Sequence, residues 1–531
     1  MMHRRHIPFR LTAVSAMVLL ANGVMAQTEE APEAEASYAP LLVQTANQDG
    51  HWTPGYDGRV QLGLGYTSDD NFMFGQYNGL SEDGATVIGN LDWQDFSSSD
   101  SQWRVSVSNL GLDTREGLLT WKNDGKLQID LGFDSQIQVR NNTGETPFRG
   151  SSSPLRLPDD WVTGSTTGDF SQLASSLQQF DRELERDKLF AGFKLNFSDN
   201  WRLDSSLSYE EKQGTSDTAG AMYVDASSGD AAMLPRPVDY RTTEFDLGLA
   251  YTGGKLNIEG RLDYSDFDNK DDILVWENPY RSRYPDSAGG LGQAPDNEQL
   301  QGRITGQYIF TPSARFQFDG SYAVAEQDQD YLDYSINPAA SLSQPLPRTS
   351  FDGEAQTGTL NAKLWLRPLR KLDIDIFFKG RERDYDNPRD GYRYIRGDGS
   401  RQPEQKLAVY NTSHHFISQT TGVEASYRLP RRSRLQFEYA YEEIERENAA
   451  VEETEEDRFT LGYRIQPWDN FTARAELLYG NRSADTYNWD QRYYALLDVE
   501  LINATPDNQR YINHPELSQF HLANREQEQG K

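Results

Sequence analysis

Histidine, carboxylate and cysteine side chains are the groups with which this sequence could bind a metal ion or catalyse a reaction. Of its seven histidines only His414 and His415 are adjacent, and successive strand residues point to opposite faces, so the two cannot easily share a metal. The absence of cysteine excludes thiolate sites, cysteine nucleophiles and the Cys-x-x-Cys-His segment that attaches c-type haem. Catalytic triads and nucleotide-binding loops are also missing in usable context. We therefore predict no catalytic, metal or cofactor-binding residues and no enzymatic activity.

Two acidic clusters offer the oxygen ligands that Ca²⁺ prefers. They consist of Asp266, Asp268, Asp271 and Asp272, and of Glu326, Asp328 and Asp330. Neither has the central glycine and distal glutamate of an EF-hand loop, so we interpret both as solvated loops. The formal net charge of −30 argues against nucleic acid and anionic lipid surfaces as partners. Acidic surface loops that bind divalent ions at lipopolysaccharide account for this charge.

The composition favours a membrane barrel over the other classes that a chain of 531 residues could form. A mean hydropathy of −0.76 and the lack of an apolar run of about 18 residues after the N-terminus exclude a helical membrane protein. Yet 28 Tyr, 24 Phe and 10 Trp are too many aromatics for disorder. A chain rich in both aromatic and polar residues suits a membrane barrel, because apolar side chains face the lipid and polar side chains face the lumen.

The N-terminus has the features of a secretory signal peptide. Three arginines precede an apolar segment at residues 11–24, and Val-Met-Ala at residues 24–26 is a small-residue cleavage site. An uncleaved anchor helix is the alternative, but the apolar segment is short for one. We predict a cleaved signal peptide at residues 1–26 and export to the outer membrane of a Gram-negative cell.

Residues 27–51, which begin with a Glu-, Ala- and Pro-rich stretch, are predicted to be a periplasmic lead-in, and residues 52–531 a barrel. A last candidate strand lies at residues 493–501, and a polar stretch follows it to Lys531. A barrel is expected to end on a closing strand with a terminal aromatic. Our hypothesis is that the sequence lacks several C-terminal strands.

Alternating apolar residues predict a series of strand pairs joined by short turns and separated by long polar stretches. The pairs are residues 189–197 with 201–209, 245–251 with 256–264, 304–310 with 316–322, 360–366 with 372–378, 423–429 with 435–441, and 459–465 with 471–477. Shorter candidates lie at residues 60–66, 87–93, 103–107, 119–121 and 127–133, and Asn123-Asp124-Gly125 is a hairpin turn between the last two. We predict about 18 strands, which implies a wide bore.

A soluble β-sandwich also alternates, but three features favour a large antiparallel transmembrane β-barrel with short periplasmic turns and long extracellular loops. Short turns and long loops alternate along the chain. Apolar rows end in Tyr or Trp, as interfacial girdles do. The opposite face has both charge signs, as in Lys255, Glu259, Arg261 and Asp263, which an aqueous lumen tolerates and a sandwich core does not.

Several segments stand out in order along the chain: an N-terminal signature at residues 65–80, then residues 146–150 with 157–158 and Trp161, residues 328–332 with Tyr334, residues 385–388 with Tyr392 and Tyr394, and residues 522–526. These segments resemble those of the MtrB/PioB family of outer-membrane barrels associated with decahaem cytochromes. The resemblance spans about residues 52–531. It marks as candidates for partner contact Ser68, Asp69, Asp70, Phe72, Phe74, Gly75, Tyr77, Asn78, Gly79 and Leu80. The alternative is that the glycines and asparagines of the signature only shape a turn.

The resemblance implies a sheath for electron transfer across the outer membrane. In this family the barrel encloses a periplasmic multihaem c-type cytochrome, often with an extracellular multihaem cytochrome docked outside. All haem would then come from the partner, since this chain binds none covalently. Some members have an N-terminal Cys-x-x-Cys pair. This chain does not have it, so a thiol-linked role is not implied. A general or substrate-specific diffusion porin, and an adhesive protein acting through acidic loops, remain alternative functions.

Overall fold

The computed structural model describes residues 55–96, 98, 100–223, 229–280, 288–336, 345–393, 408–488, 491–497, 499–504 and 520–530. The predicted signal peptide and lead-in lie outside these ranges. Eighteen strands form one sheet in which each strand pairs antiparallel with its neighbours along the chain. Within the described residues, no helix has the length and apolar character needed to cross a membrane.

The strands of this main sheet are β1 (Tyr56–Thr67), β2 (Gly84–Asp95), β3 (Ser101–Leu110), β4 (Glu116–Asn123), β5 (Leu127–Thr146), β6 (Gln178–Asn196), β7 (Trp201–Tyr223), β8 (Gly229–Thr252), β9 (Leu256–Asn269), β12 (Asn297–Thr311), β13 (Ala314–Gln327), β14 (Gly353–Leu369), β15 (Leu372–Tyr385), β18 (Phe416–Leu429), β19 (Ser433–Arg446), β20 (Glu453–Trp468), β21 (Phe471–Ala484) and β22 (Arg525–Gly530). Two small hairpins are β10 (Ile273–Glu277) with β11 (Ala288–Gly292), and β16 (Gly391–Arg393) with β17 (Ala408–Tyr410). The short helices are α1 (Phe72–Gly75), α2 (Leu173–Ser176), α3 (Gln491–Leu496) and α4 (Val499–Ala504), with 3₁₀ turns at Thr167–Asp169 and Phe520–Leu522.

The two faces of the main sheet differ in polarity, which confirms the predicted barrel wall. Leu207 on β7 lies opposite Ala191 and Phe245, and its side chain is 51% exposed. The adjacent Ser206 lies opposite Asp246 on the other face. Apolar side chains that remain exposed along one whole face require a lipid environment, whereas the polar face lines an aqueous lumen. The predicted strands before residue 135 and the six predicted pairs all form.

Turns and loops segregate to opposite ends of the strands, as predicted. Only two to five residues join the strands at one end, which we call the turn end; the connections are residues 96–100, 124–126, 197–200, 253–255, 312–313, 370–371, 430–432 and 469–470. In the β4–β5 turn, Asp124 (φ 44°) and Gly125 (φ 63°) are both left-handed, the backbone that a two-residue hairpin favours. The opposite end, the loop end, has the long connections, including residues 147–177, together with short ones such as residues 111–115 and 447–452.

Aromatic residues border the apolar band at both ends. At the turn end, the rings of Trp201 and Tyr251 pack with centroids 4.9 Å apart. At the loop end, the Tyr209 hydroxyl donates to Glu211 (2.6 Å) and the Tyr264 hydroxyl to Glu298 (2.8 Å). Each tyrosine places its apolar ring at the edge of the apolar band and its hydroxyl group toward water, which is what an interfacial girdle requires.

The predicted strand at residues 493–501 is wrong, because residues 491–496 and 499–504 form α3 and α4. The segment contains Ala, Leu and Glu, which favour helix, and its apolar run has no strict alternation. The Arg389 side chain donates to the Ala495 carbonyl oxygen at 2.9 Å and so attaches α3 to the neighbouring loop. Lys255, predicted within a strand, lies in the turn immediately before β9.

Candidate functional site

The signature segment contains the end of β1, helix α1 and the residues that follow it. Together they form a single compact loop. The Asn71 side chain caps α1 by accepting hydrogen bonds from the backbone N–H groups of Met73 and Phe74, and the Asn71 backbone N–H donates to the Ser81 carbonyl oxygen. Further along, Asn78 accepts from the N–H of Leu80 at 2.9 Å. The loop therefore brings together all ten residues that the sequence marked for partner contact.

The signature loop packs against the edge of β5 where that strand extends beyond β4 at the loop end. β5 continues past the end of β4, and the N–H of Val139 on this free edge donates to the Gln76 carbonyl oxygen at 3.1 Å. Gly79 has φ 75°, and a Cβ there would overlap the side chain of Asp113 in the β3–β4 connection. Gly75 is buried against Ser81. These glycines have the turn-shaping role that we considered, since a side chain at either position would force the loop off the rim.

Other members of the same loop point away from the barrel wall. Met73 is 71% exposed, Phe74 59% and Tyr77 64%. The Asp70 side chain accepts from the N–H of Asp83 at 2.8 Å and so closes the base of the loop, while Ser68 and Asp69 are exposed. The loop thus has a structural side and an exposed side, and partner contact by the exposed side remains a prediction.

A hydrophobic core forms above the barrel at the loop end. Its buried members, which we call the loop core, are Phe148, Leu155, Leu157, Leu234, Leu274, Trp276 and Tyr280. The N–H of Leu155 donates to the Val275 carbonyl oxygen (2.8 Å) and the N–H of Glu277 donates to the Leu155 carbonyl oxygen (3.0 Å), which forms a single parallel β-bridge to β10. The loop core thus joins the β5–β6 connection, β8 and the β10–β11 hairpin into one layer.

Trp276 is the centre of the loop core. Its indole lies between Gly220 of β7 and Gly289 of β11, and a Cβ at either glycine would overlap the ring. The Trp161 indole N–H donates to the Pro279 carbonyl oxygen at 3.1 Å, and the Phe170 ring packs on Trp161 with centroids 5.1 Å apart. The sequence singled out residues 146–150, 157–158 and Trp161 as family-like segments, and the structure shows that they build this core.

A second cluster joins the β13–β14 and β15–β18 connections. The hydroxyls of Tyr331 and Tyr392 are 2.6 Å apart, and Arg348 pairs with Asp390 at 2.5 Å. Burial, and the hydrogen bond shared with Tyr331, raise the pKa of Tyr392 above its ordinary value. The family-like segments around residues 328–334 and 385–392 therefore contact each other, whereas Tyr394 lies outside the described residues.

The acidic clusters lie at the loop end, but the loop interpretation is wrong for three members, since Asp266 and Asp268 are on β9 and Glu326 is on β13. Asp268 pairs with Arg241 at 3.6 Å, and Asp272 accepts from Gln329 at 2.6 Å. A hydrogen bond with Asp352 raises the pKa of Asp328 above its ordinary value. The group in the described residues that could hold a metal ion is instead Glu443, Glu453 and Glu455, with carboxylate oxygens within 4.8 Å of one another. Sequence spacing could not show this group, since it forms across two strands.

The adjacent histidines are held apart. His415 Nδ1 lies 3.2 Å from Asp384 Oδ1, and His414 is exposed just before β18. No metal-ligand group of at least three residues within the described ranges includes either one.

The lumen wall has ion pairs that connect several strands. Arg261 on β9 contacts Glu259 (2.6 Å) on its own strand, Asp204 (3.1 Å) on β7, and Asp246 on β8. Arg202 joins the group through Asp204 at 3.0 Å. This wall is hydrophilic and closely paired, and it could face either water or the polar surface of an inserted protein.

We expect Arg261→Gln to lower the free energy of unfolding by about 1–3 kcal/mol, because three half-buried carboxylates would lose their shared cation. Urea titration of the protein folded into lipid vesicles measures the difference. Arg303→Gln is the matched control. Arg303 lies directly opposite Arg261, is half exposed, and among the described residues pairs with Asp319 at 2.9 Å; because its loss also relieves the repulsion from Arg261, it should cost under about 1 kcal/mol. Equal effects of the two substitutions would contradict a cooperative network at Arg261.

Comparison with known proteins gives a consistent assignment. The sequence profile of the outer membrane beta-barrel porins MtrB/PioB matches residues 66–531. Outer membrane protein MtrB of Shewanella baltica (strain OS185) is 23% identical over 441 residues, which are 82% of this chain and 60% of that protein. The chain thus spans about 60% of the length of this relative.

Solved outer-membrane proteins are similar at a coarser level. In-vitro folded OmpT of Vibrio cholerae has a TM-score of 0.25 at 10% identity, covering 81% of this chain and 96% of OmpT. The ferric-catecholate import receptor Fiu of E. coli, in its closed form, has a TM-score of 0.33 at 9% identity, covering 82% of this chain and 69% of Fiu. TM-scores this low support no argument about this chain.

Proposed function

Because the chain belongs to the MtrB/PioB family of outer-membrane β-barrel porins, we propose that it is a sheath that holds a periplasmic multihaem c-type cytochrome and so forms an electron conduit across the outer membrane. The observation that carries the proposal is the lumen face, where charged side chains of both signs follow the strands. A protein inserted in the bore would meet hydrogen-bonding and charged partners along the wall.

The chain's own residues do not fit a covalently attached haem, since it has no cysteine to form the thioether bonds. Redox chemistry would therefore come entirely from the partner, and we assign the barrel no reaction of its own. Its contribution is to exclude lipid from the partner over an apolar band about 25 Å tall and to fix the partner's position along the membrane normal.

The loop end suits a second partner outside the cell. The loop core and the Tyr331–Tyr392 cluster make this end a packed layer, and a packed surface can present a fixed set of contacts. In our proposal this layer, with the exposed side of the signature loop, receives an extracellular multihaem cytochrome.

Purification of the tagged full-length chain from detergent-solubilised outer membrane tests the proposal. We expect a multihaem c-type cytochrome in near-equal amount, measured by haem absorbance and identified by mass spectrometry. A mock purification from cells with an untagged chain controls for free cytochrome. A barrel that retains no haem protein would contradict the conduit.

A diffusion porin is the second candidate, because a charged lumen also conducts ions. Conductance of the purified barrel in a planar bilayer distinguishes the two functions. The conduit predicts that a bound haem protein blocks the current and that its removal restores it. Selective conductance by a barrel that has no associated cytochrome in cells would favour the porin.

A further inference from the structure

Four arginines stand in one row across four neighbouring strands at the turn end. Arg428 of β18 lies directly opposite Arg434 of β19, Arg434 opposite Arg464 of β20, and Arg464 opposite Arg474 of β21. We call these four residues the arginine row. The next residue along β19, Leu435, belongs to the apolar outer face, so the arginine row lies on the lumen face.

The arginine row is unfavourable for the isolated barrel. Like charges directly opposite on neighbouring strands repel each other. Arg428 is paired with Asp373 at 2.9 Å, but the side chains of Arg434, Arg464 and Arg474 are exposed and form no ion pair or hydrogen bond with the part of the chain that is described. A concentration of positive charge in a chain with net charge −30 needs an explanation other than folding.

The adjacent hairpin turn adds two more arginines at a cost in backbone energy. The Arg431 side chain has no ion pair with the described residues, whereas Arg432 pairs with Asp469 of the next turn. Arg431 (φ 61°) and Arg432 (φ 54°) both have left-handed backbone, which side chains other than those of Gly, Asn and Asp adopt unfavourably. The β4–β5 turn uses Asp124 and Gly125 for the same geometry. Strain of this kind that is kept at a surface indicates function.

We propose that the arginine row and the Arg431–Arg432 turn form a docking surface for an acidic, carboxylate-rich face of the periplasmic protein that enters the lumen. The inference rests on the proposed function and adds to it the side of the barrel wall and the charge of the partner surface. Carboxylates between the guanidinium groups would remove the repulsion within the row and form paired, charge-assisted hydrogen bonds.

The dimensions of the surface favour a protein over a small anion. Four neighbouring strands span about 14 Å, at about 4.8 Å per strand. A site for a small anion has donors that converge on one point in a concave pocket. The arginine row is an extended line on an exposed wall, so it matches a series of carboxylates on a macromolecular surface.

Charge removal tests the proposal in the full-length protein. We expect Arg464→Gln with Arg474→Gln to reduce the haem protein retained per barrel about tenfold at moderate salt, and to weaken the salt dependence of retention. Both residues lack partners within the described chain, so the barrel should fold, as heat-modifiable gel mobility will show. Lys122→Gln with Lys194→Gln is the matched control, since it removes two charges from the lumen face of β4 and β6 at the same end.

The outcomes separate the two proposals. Retention that falls for the arginine variant and not for the lysine variant supports the docking surface. Equal retention by the arginine variant and the wild type, or equal loss in both variants, overturns the docking surface while the conduit stands. Absence of haem protein from the wild-type barrel refutes the conduit itself.

Two further variants keep the test independent of folding defects. Arg431→Asn with Arg432→Gly should leave the unfolding free energy unchanged or higher, because Asn-Gly suits the turn, yet lower retention several-fold. A photo-crosslinking residue at Gln436, on the lumen face next to the row, should capture the haem protein, whereas the same residue at Leu435 should not. Unchanged retention in the turn variant, or equal crosslinking from both positions, would overturn the proposal.

Discussion

Trp276→Ala should unfold the loop core while the barrel strands remain folded. The side chain is 2% exposed and lies between Gly220 and Gly289, so its removal leaves a cavity at the centre of the loop core. Removal of a buried tryptophan costs about 3–5 kcal/mol. Limited proteolysis from the extracellular side measures the result: we expect rapid cleavage in residues 147–177 and 278–280, with the heat-modifiable mobility of a folded barrel preserved.

The control is a tryptophan in a different environment. Trp103 lies on the outer face of β3 and is 41% exposed, so Trp103→Ala should leave loop cleavage unchanged. Gly220→Val tests the same contact from the opposite side and should reproduce the Trp276→Ala cleavage pattern, because the valine side chain would occupy the indole position. Resistance of both core variants to cleavage would mean that the loop layer is held by its hydrogen bonds rather than by its core.

The behaviour of the loop layer matters for function because it supports the rim. β7 and β8 have 23 and 24 residues, about twice the 9–11 needed to cross a bilayer, and their projecting ends join the loop core. A variant without the loop core would retain the lumen wall and lose the loop-end surface. If the proposed conduit is correct, binding of the periplasmic cytochrome should persist in this variant while extracellular docking is lost.

The barrel wall could be predicted from the sequence because its signal is local. Alternation at residues 189–197 and 201–209 depends only on neighbouring side chains, and the observed β6 and β7 contain nearly all of both predicted strands. The predicted strands stop short at the loop end, since residues 210–223 leave the membrane and no longer alternate. Their pairing with β8 depends on a partner strand that composition does not reveal.

The loop core and the arginine row could not be predicted for a different reason. Leu155 and Trp276 are 121 positions apart, and their contact follows from the closure of a long loop on a hairpin. Arg434, Arg464 and Arg474 look like isolated turn-flanking cations in sequence. The strand register alone places them side by side, and a shift by one residue would put each on the outer face. Candidate sites in such a barrel therefore depend on register, which is the least local feature of the fold.

Leu207→Arg should lower the free energy of unfolding from a bilayer by about 2–4 kcal/mol, whereas Ser206→Arg should change it by less than about 1 kcal/mol. The two residues are adjacent on β7, so strand propensity and the added side chain are the same in both variants. Leu207 lies between Ala191 and Phe245 on the apolar face, and its guanidinium replacement would enter hydrocarbon. Ser206 faces the lumen opposite Asp246, where a new guanidinium group would stay hydrated.

Reversible urea unfolding in vesicles of short-chain phosphatidylcholine measures both values under one condition. The same titration in vesicles with thinner hydrocarbon should reduce the Leu207→Arg cost, because the cation would then reach the interface. An equal cost for the two variants would mean that β7 is not a membrane-spanning strand in this register. Since the arginine row is assigned to the lumen by the same alternation, that result would also remove the basis for placing Arg434 and Arg464 where an inserted protein could reach them.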